Sequence, residues 1–120
     1  MAIVGGGYIG LEIAAIAVKL GAHVTVIETA ARVLARVASP ELSAFYERVH
    51  REHGVEIRTN SSVQALEGDD RAARVALSDG TRLAADVIVI GIGLVPNVEL
   101  ARNERECDAD HVRRCTDARE

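Results

Sequence analysis

Aromatic residues and cysteines are scarce in this chain of 120 residues, which has no tryptophan, one phenylalanine, two tyrosines and two cysteines. With so few aromatic side chains the core must be aliphatic, which suits thin strands packed beneath helices with small faces. Cys107 and Cys115 lie near the end of the chain, at a spacing that fits neither a CxxC redox pair nor a metal site. We therefore expect two reduced thiols without a functional role.

The chain also lacks an excess of positive charge and any long apolar run. Its formal net charge is -4, and its few basic clusters have no interleaved aromatic residues on which bases could stack, so nucleic acid is not expected as a partner. No apolar stretch approaches the roughly 20 residues of a membrane-spanning helix. The first residues contain no charged leader region. A cytoplasmic protein without membrane contact is predicted.

Hydrophobic patterning predicts parallel strands alternating with helices. Four short runs rich in β-branched residues are typical of buried parallel strands. They span residues 1–4, 23–27, 55–58 and 86–90. Apolar residues at helical spacing predict a first helix over residues 9–20 that ends at Gly21. Ser39 and Pro40 fit the N-cap and first position of a second helix, which extends to about residue 53.

Between residues 62 and 83 the pattern changes to short alternating stretches, broken near residues 68–70 and at Asp79-Gly80, a hairpin signal. A three-stranded antiparallel β-meander therefore replaces a crossover helix before the last parallel strand. The predicted fold class is α/β, a Rossmann-like parallel sheet of the FAD/NAD(P)-binding type with a meander crossover. Residues 1–101 would form this domain, and the polar residues 102–120 a disordered tail.

Gly5, Gly7 and Gly10 form a GxGxxG motif between a predicted strand and a predicted helix, the context in which that pattern is informative. Gly5 would permit the tight turn, Gly7 the approach of a pyrophosphate, and Gly10 close packing of helix on strand. Amides at the helix start, together with the helix dipole, would hold the phosphates. The alternative is a glycine turn that only connects strand and helix.

Glu28 ends the second predicted strand, about 20 residues beyond the glycine motif, where a carboxylate can accept hydrogen bonds from both hydroxyls of an adenine ribose. A 2'-phosphate would bring about two negative charges against it, which favours NAD(H) over NADP(H). Arg32 and Arg36 either flank the adenosine or the pyrophosphate or are solvated, and they leave tolerance of NADP(H) open. Glu12 is predicted in the first helical turn, where an acid complements the dipole.

No metal-ligand set and no catalytic nucleophile is predicted. His50 and His53 are expected to form an exposed pair on the second helix, because no other potential ligands accompany them. The serines lie outside any nucleophile-elbow motif, so a hydrolase has no support.

Four segments of the sequence, taken in order, resemble one family. They are GGGYIGLEIAA (5–15), VIE (26–28), SDGT (78–81) and ADVIVIGIGLVPNVELA (85–101). Residues 1–101 thereby resemble the NAD(H)-binding domain of FAD-dependent pyridine nucleotide-disulfide oxidoreductases, in particular the ferredoxin, rubredoxin and putidaredoxin reductases. In that family a hydride passes from NADH to FAD, and electrons leave singly for an iron–sulfur protein or a haem partner.

The resemblance implies cofactor contacts at three places: the glycine motif with the first helix, the end of the second strand with its loop, and the loop after the last parallel strand. At the first place these are Gly5, Gly7, Tyr8, Ile9, Gly10 and Glu12. At the other two they are Glu28, Arg36, Gly91, Ile92 and Gly93. The glycine motif would hold the pyrophosphate, Glu28 the adenine ribose and Arg36 the adenosine side. Tyr8 and Ile9 would lie near the nicotinamide, and Glu12 near its carboxamide. For Tyr8 the alternative is an aromatic side chain that only packs on the start of the helix.

A complete member of the family also has its own FAD-binding GxGxxG domain, a later Gly-Asp motif and a C-terminal interface domain, and this sequence contains none of them. We therefore expect the chain by itself to bind a dinucleotide without catalysing a reaction. Its expected partners are the missing FAD-binding and C-terminal domains and a ferredoxin-type electron acceptor. Two alternatives stay open: the FAD-binding half of a related flavoprotein, against which the opening GGGYIGLE argues, and a non-catalytic Rossmann fragment without a ligand.

Overall fold

The computed structural model describes residues 1–69, 74–93 and 97. The elements in chain order are β1 (Ala2–Val4), α1 (Tyr8–Lys19), β2 (Val24–Ile27), α2 (Pro40–Glu52), β3 (Val55–Arg58), β4 (Val63–Glu67), β5 (Arg74–Leu77), β6 (Arg82–Ala84) and β7 (Ile88–Ile90). Each of them corresponds to a predicted element. The predicted tail over residues 102–120, with both cysteines, lies outside the described residues.

Two sheets confirm the predicted fold class. The first is parallel, with strand order β3-β2-β1-β7, and pairs Ala2 with Thr25 on one side and with Ile88 on the other. The second is the antiparallel meander β4-β5-β6, which occupies the connection between β3 and β7. Strands β1 and β2 at the centre of the parallel sheet are covered on both faces, which explains why their sequence runs are apolar without alternation.

Successive residues of β1 face the two sides of the parallel sheet, as strand geometry requires. Ile3 belongs to a core cluster shared with α1, which contains Leu11, Ala14 and Ala17. Its neighbour Ala2 belongs to a second cluster, built with residues of the meander and its flanks such as Val75. The result is three layers, with helices, parallel sheet and meander stacked in that order.

The buried face of α1 matches only part of the set of apolar residues on which the helix was predicted, in which Ala17 is buried and Ile13 packs against the core. The other three residues of that set, Ile9, Ile16 and Leu20, are 60%, 59% and 82% exposed. The residues of α1 that are buried are small or of medium size: Gly10, Leu11, Ala14 and Ala17. Small side chains let the helix axis approach the sheet closely, so burial follows the fit to the strands and not the size of the side chain alone.

The start of α2 is capped as predicted. The Ser39 hydroxyl accepts a hydrogen bond from the amide of Leu42 at 3.3 Å, and Pro40 occupies the first helical position. Hydrogen bonds from the backbone amide of Glu41 and from the Ser39 hydroxyl hold the pKa of Glu41 below its usual range. The cap therefore satisfies amides that the helix itself leaves unpaired.

Ser39→Ala is expected to lower the free energy of unfolding by about 1 kcal/mol, since the alanine leaves a terminal amide without its acceptor. Urea unfolding followed by circular dichroism measures the change. Ser62→Ala is a matched control, because Ser62 is exposed and its hydroxyl makes no hydrogen bond within the described residues. Equal stability of the two variants would contradict the assignment of the cap.

The predicted turn at Asp79-Gly80 connects β5 and β6. Gly80 has a φ of 86°, in the left-handed region that favours glycine. The amide of Thr81 donates to Asp79 Oδ1 at 2.8 Å, and this backbone hydrogen bond holds the pKa of Asp79 below its usual range.

Candidate functional site

The carboxyl ends of β1, β2 and β7 open into three neighbouring loops that enclose a cleft of about 610 Å³. In open parallel sheets this edge is where ligands bind, and the volume lies in the range of small-molecule sites. The three walls are the glycine loop after β1, the long segment after β2, and the loop over residues 91–93 after β7.

Gly5 and Gly10 are glycines because of contacts within the protein. Gly5 has a φ of 110°, and a Cβ there would lie 2.4 Å from the carbonyl oxygen of Gly91. A Cβ on Gly10 would lie 2.1 Å from the carbonyl oxygen of Gly5. Neither distance is possible between real atoms, so these two positions hold the loops after β1 and β7 and the start of α1 in close contact.

Gly7 differs from both, because no atom lies within 4 Å of the place its Cβ would occupy. Its φ of -82° is ordinary for any residue. The packing of the protein therefore does not explain this glycine. Gly7 lines the cleft, so the open space beside it is available to a ligand that approaches the backbone.

The N-terminus of α1 faces this space without a capping side chain among the described residues. The hydrogen bond from the amide of Leu11 to the carbonyl of Gly7 is 3.0 Å long and begins the helical ladder. Amides in the turn before it have no partner within the helix, and the helix dipole adds a positive potential there. An anion such as a pyrophosphate suits this position.

Glu28 lies at the end of β2, half-buried, with both carboxylate oxygens engaged. Oε2 accepts a hydrogen bond from the amide of Gly6 at 2.7 Å, and Oε1 accepts one from the amide of Ala30 at 2.8 Å. The Thr29 hydroxyl donates to Oε1 at 3.2 Å. An ionised carboxylate has about four acceptor positions, and these bonds occupy three of them. One position remains for a ribose hydroxyl, and a second becomes available when the hydroxyl of the exposed Thr29 rotates away.

The structure separates the two arginines of the segment after β2. Arg36 is exposed and lines the cleft, and it forms no ion pair within the ranges that the structure describes. The guanidinium of Arg32 is instead bonded to the carbonyls of Ala35 and Ala38 and to the hydroxyl of Ser43. Of the two cations, only Arg36 is presented to a ligand.

Most of the residues predicted to contact a cofactor lie together in the cleft lining. These are Gly5, Gly7, Tyr8, Ile9, Glu28, Arg36, Gly91, Ile92 and Gly93. Gly10 and Glu12 are not among the lining residues. The placement of Glu12 in the first turn was wrong: α1 begins at Tyr8, so Glu12 is its fifth residue and no acidic residue occupies that turn.

The apolar residues of the cleft wall formed by the segment after β2 were missed as site residues. Leu34 and Val37 line the cleft, and Leu34 has a φ of 54° while its amide donates to the carbonyl of Gly6 at 2.9 Å. The signal was present in the sequence as the apolar letters VLARV (33–37) in a connection between a strand and a helix. Apolar residues in a connecting loop indicate that the loop packs against another part of the protein or against a ligand.

The prediction of an exposed histidine pair was half wrong. His53 is exposed, but His50 is half-buried between the helices, with Nδ1 at 2.9 Å from the carbonyl oxygen of Tyr46 and Nε2 at 3.1 Å from that of Leu11. The physical reason is that α2 lies against α1, which turns this position inward.

No helix among the described residues has both the length and the apolar character needed to cross a bilayer.

A family model described as pyridine nucleotide-disulphide oxidoreductase matches residues 1–115 of the chain. The chain belongs to this family. Putidaredoxin reductase from Pseudomonas putida is 54% identical over 104 residues, which cover 84% of this chain and 25% of that protein. The ferredoxin reductase subunit of 5,5'-dehydrodivanillate O-demethylase from a Sphingobium species is 60% identical over 97 residues, covering 79% of this chain and 24% of that protein.

Solved structures of this oxidoreductase family agree with the sequence comparison. The crystal structure of the covalent putidaredoxin reductase–putidaredoxin complex matches with a TM-score of 0.81 and 51% identity, over 89% of this chain and 27% of that chain. The resemblance to FAD-dependent pyridine nucleotide-disulfide oxidoreductases, in particular the ferredoxin reductases, is thereby confirmed. The chain spans about a quarter of the length of the curated relatives it matches.

Proposed function

We propose that this chain is the NADH-binding domain, residues 1–101, of a flavoprotein oxidoreductase of the ferredoxin reductase type. In such an enzyme a hydride passes from NADH to FAD, and single electrons then pass to a ferredoxin-type iron–sulfur protein. The names of the relatives, a putidaredoxin reductase and a ferredoxin reductase subunit, support this activity class. FAD-binding and C-terminal domains of the complete enzyme would supply the flavin, so the chain alone would bind the dinucleotide without turnover.

The observation that carries the proposal is the open space at Gly7. The protein keeps a glycine at a position where its own packing would accept a side chain, at the N-terminus of α1 and on the wall of the cleft. A pyrophosphate that approaches the backbone amides there requires such a gap. Glu28 stands across the same loop, in contact with Gly6, where it would accept bonds from the adenine ribose.

The remaining lining residues divide the cleft into two ends. At the adenosine end, Arg36 is the exposed cation, and Glu28 disfavours a 2'-phosphate by like charge. At the nicotinamide end, Tyr8 and Ile9 are 52% and 60% exposed, and Ile92 is 69% exposed. Apolar and aromatic groups at this end fit the flat nicotinamide ring and would exclude water where NADH supplies its hydride.

Gly7→Ala is expected to weaken NADH binding about tenfold or more, because the added methyl group occupies the space of the pyrophosphate and costs contacts with charged oxygens. The fold should persist, since the φ of Gly7 suits alanine. Calorimetric titration of the purified chain with NADH, NADPH and FAD measures this, with thermal unfolding as the control for folding. NADH should bind with the highest affinity of the three ligands.

Three results would count against the proposal. Preferential binding of FAD would identify the FAD-binding half of a flavoprotein, since the ADP part of FAD suits the same glycine motif. Absence of binding to a folded chain would leave a Rossmann fragment without a ligand. Equal NADH affinity of the wild type and Gly7→Ala would remove the pyrophosphate from this position.

A further inference from the structure

The segment over residues 29–38 forms the proposed adenosine side of the cleft and contains no helix or strand. Two side chains of α2 nevertheless bind its backbone at a single residue, one at the carbonyl oxygen and the other at the amide. The buried Ser43 hydroxyl donates to the carbonyl of Val33 at 2.7 Å. The Glu47 carboxylate, one helical turn later, accepts from the amide of Val33 at 3.2 Å. Residues four apart on a helix lie on one face, so α2 presents two side chains to a single loop residue.

The Arg32 side chain adds two hydrogen bonds within this segment and one from the segment to α2. Its Nη1 donates to the carbonyl of Ala38 at 2.9 Å and to Ser43 Oγ at 2.6 Å, and its Nη2 donates to the carbonyl of Ala35 at 3.0 Å. A guanidinium is planar and presents its donors in a fixed fork. The positions of these three acceptors are therefore set relative to one another, and Arg36 lies on the segment between Ala35 and Ala38.

We propose that Arg32 is a positioning residue, which together with Ser43 and Glu47 forms a loop clamp that holds residues 29–38 in the shape required by the adenosine half of NADH. The inference rests on the function proposed above, because it specifies how the same cleft is prepared for its ligand. Arg32 does not touch the dinucleotide. Arg36, presented by the clamped segment, is the cation that does.

The physical basis is preorganisation. If the clamp is lost, the segment must be ordered when the ligand binds, and that entropy is subtracted from the affinity. The amide of Leu34 bonds to the carbonyl of Gly6, so disorder of the segment would also loosen the glycine loop. Ser43 is only 1% exposed, which places it out of reach of any ligand.

The test compares Arg32→Lys with Arg32→Met, and Arg36→Lys with Arg36→Met. A lysine keeps the charge but lacks the planar fork, so both Arg32 variants should weaken NADH and ADP-ribose binding by about tenfold, as expected when a segment must be ordered on binding. At Arg36 the lysine should retain more of the affinity than the methionine, because an exposed cation attracts the anionic dinucleotide mainly through its charge, which lysine keeps. Binding of reduced nicotinamide mononucleotide should change in none of them.

Hydrogen exchange of the Leu34 and Ala38 amides in the ligand-free chain gives a readout that does not depend on binding. Both Arg32 variants should accelerate it about tenfold, and Ser43→Ala should do so to a smaller extent. Arg48→Met is the matched control, since Arg48 is an exposed arginine of α2 that pairs with Glu52. It should leave both exchange and affinity unchanged.

The outcomes separate this inference from the proposed function. Full retention of NADH affinity in Arg32→Lys with unchanged exchange would show that Arg32 acts by charge and would overturn the clamp. A second outcome is that the Arg32 variants show accelerated exchange while the wild-type chain binds neither NADH nor ADP-ribose. This outcome would support the clamp as a device that orders the loop and would overturn the proposal that its ligand is a nucleotide.

Discussion

Gly5→Ala is expected to lower the free energy of unfolding by about 3 kcal/mol or more, the sum of a forced contact in a packed region and a left-handed backbone conformation. The added methyl group would lie 2.4 Å from the carbonyl oxygen of Gly91 at a φ of 110°. The neighbouring atom is backbone and cannot rotate away. The loops after β1 and β7 must therefore separate, or the chain does not fold.

Gly21→Ala is the matched control for this prediction. Gly21 also has a positive φ, 84°, but no atom lies within 4 Å of its Cβ position, so only the conformational part of the cost applies, about 1 kcal/mol. Urea unfolding of the two variants and the wild type gives the difference. A Gly5 variant no less stable than the Gly21 variant would show that the two loops are not in the contact described above.

Glu28→Ala is expected to reduce NADH affinity about 100-fold, because a charged acceptor contributes about 1.5 kcal/mol or more to each hydrogen bond that it accepts and two ribose hydroxyls lose their partner. The substitution also leaves the amides of Gly6 and Ala30 without their acceptor. Calorimetric titration with NADH and NADPH measures both affinities, at a temperature where each variant is folded.

Glu28→Gln and Glu56→Ala show which part of that loss is due to charge in the cleft. The glutamine keeps one acceptor oxygen and removes the negative charge, so NADPH should gain relative to NADH. Glu56 lies on the adjacent strand β3, exposed and paired with Arg58, and its removal should leave both affinities unaltered. Unchanged NADH binding in Glu28→Ala would rule out the ribose contact.

The order and type of the elements could be predicted from the sequence because the signals are local. Ser39 caps a helix whose first amides lie within three residues of it, and the glycine in Asp79-Gly80 supplies the backbone conformation of a turn that it forms itself. The error at Glu12 arose at a helix boundary, where a shift of a few residues moves a side chain out of the first turn. The helix dipole acts only over that turn, so the predicted interaction of Glu12 with the dipole is absent.

The shape of the site could be predicted only in part. The sites at the glycine motif and at Glu28 could be predicted from the spacing of these residues. The different roles of Arg32 and Arg36 could not, because both arginines lie in the same connection after β2, in similar sequence surroundings. Arg32 donates to acceptors on the loop and on α2. The sequence around Arg32 does not indicate where α2 will lie. The same holds for His50, whose partner at Leu11 is 39 positions away.

The sequence by itself determined the βαβ order, the meander, the glycine loop and the acidic end of β2, because each depends on residues that are close along the chain. Only the tertiary structure decided which face of α1 is buried, which arginine faces the cleft, and that Gly5 meets Gly91. These features depend on groups brought together from distant positions, where packing geometry, and not the residue types themselves, selects the partner.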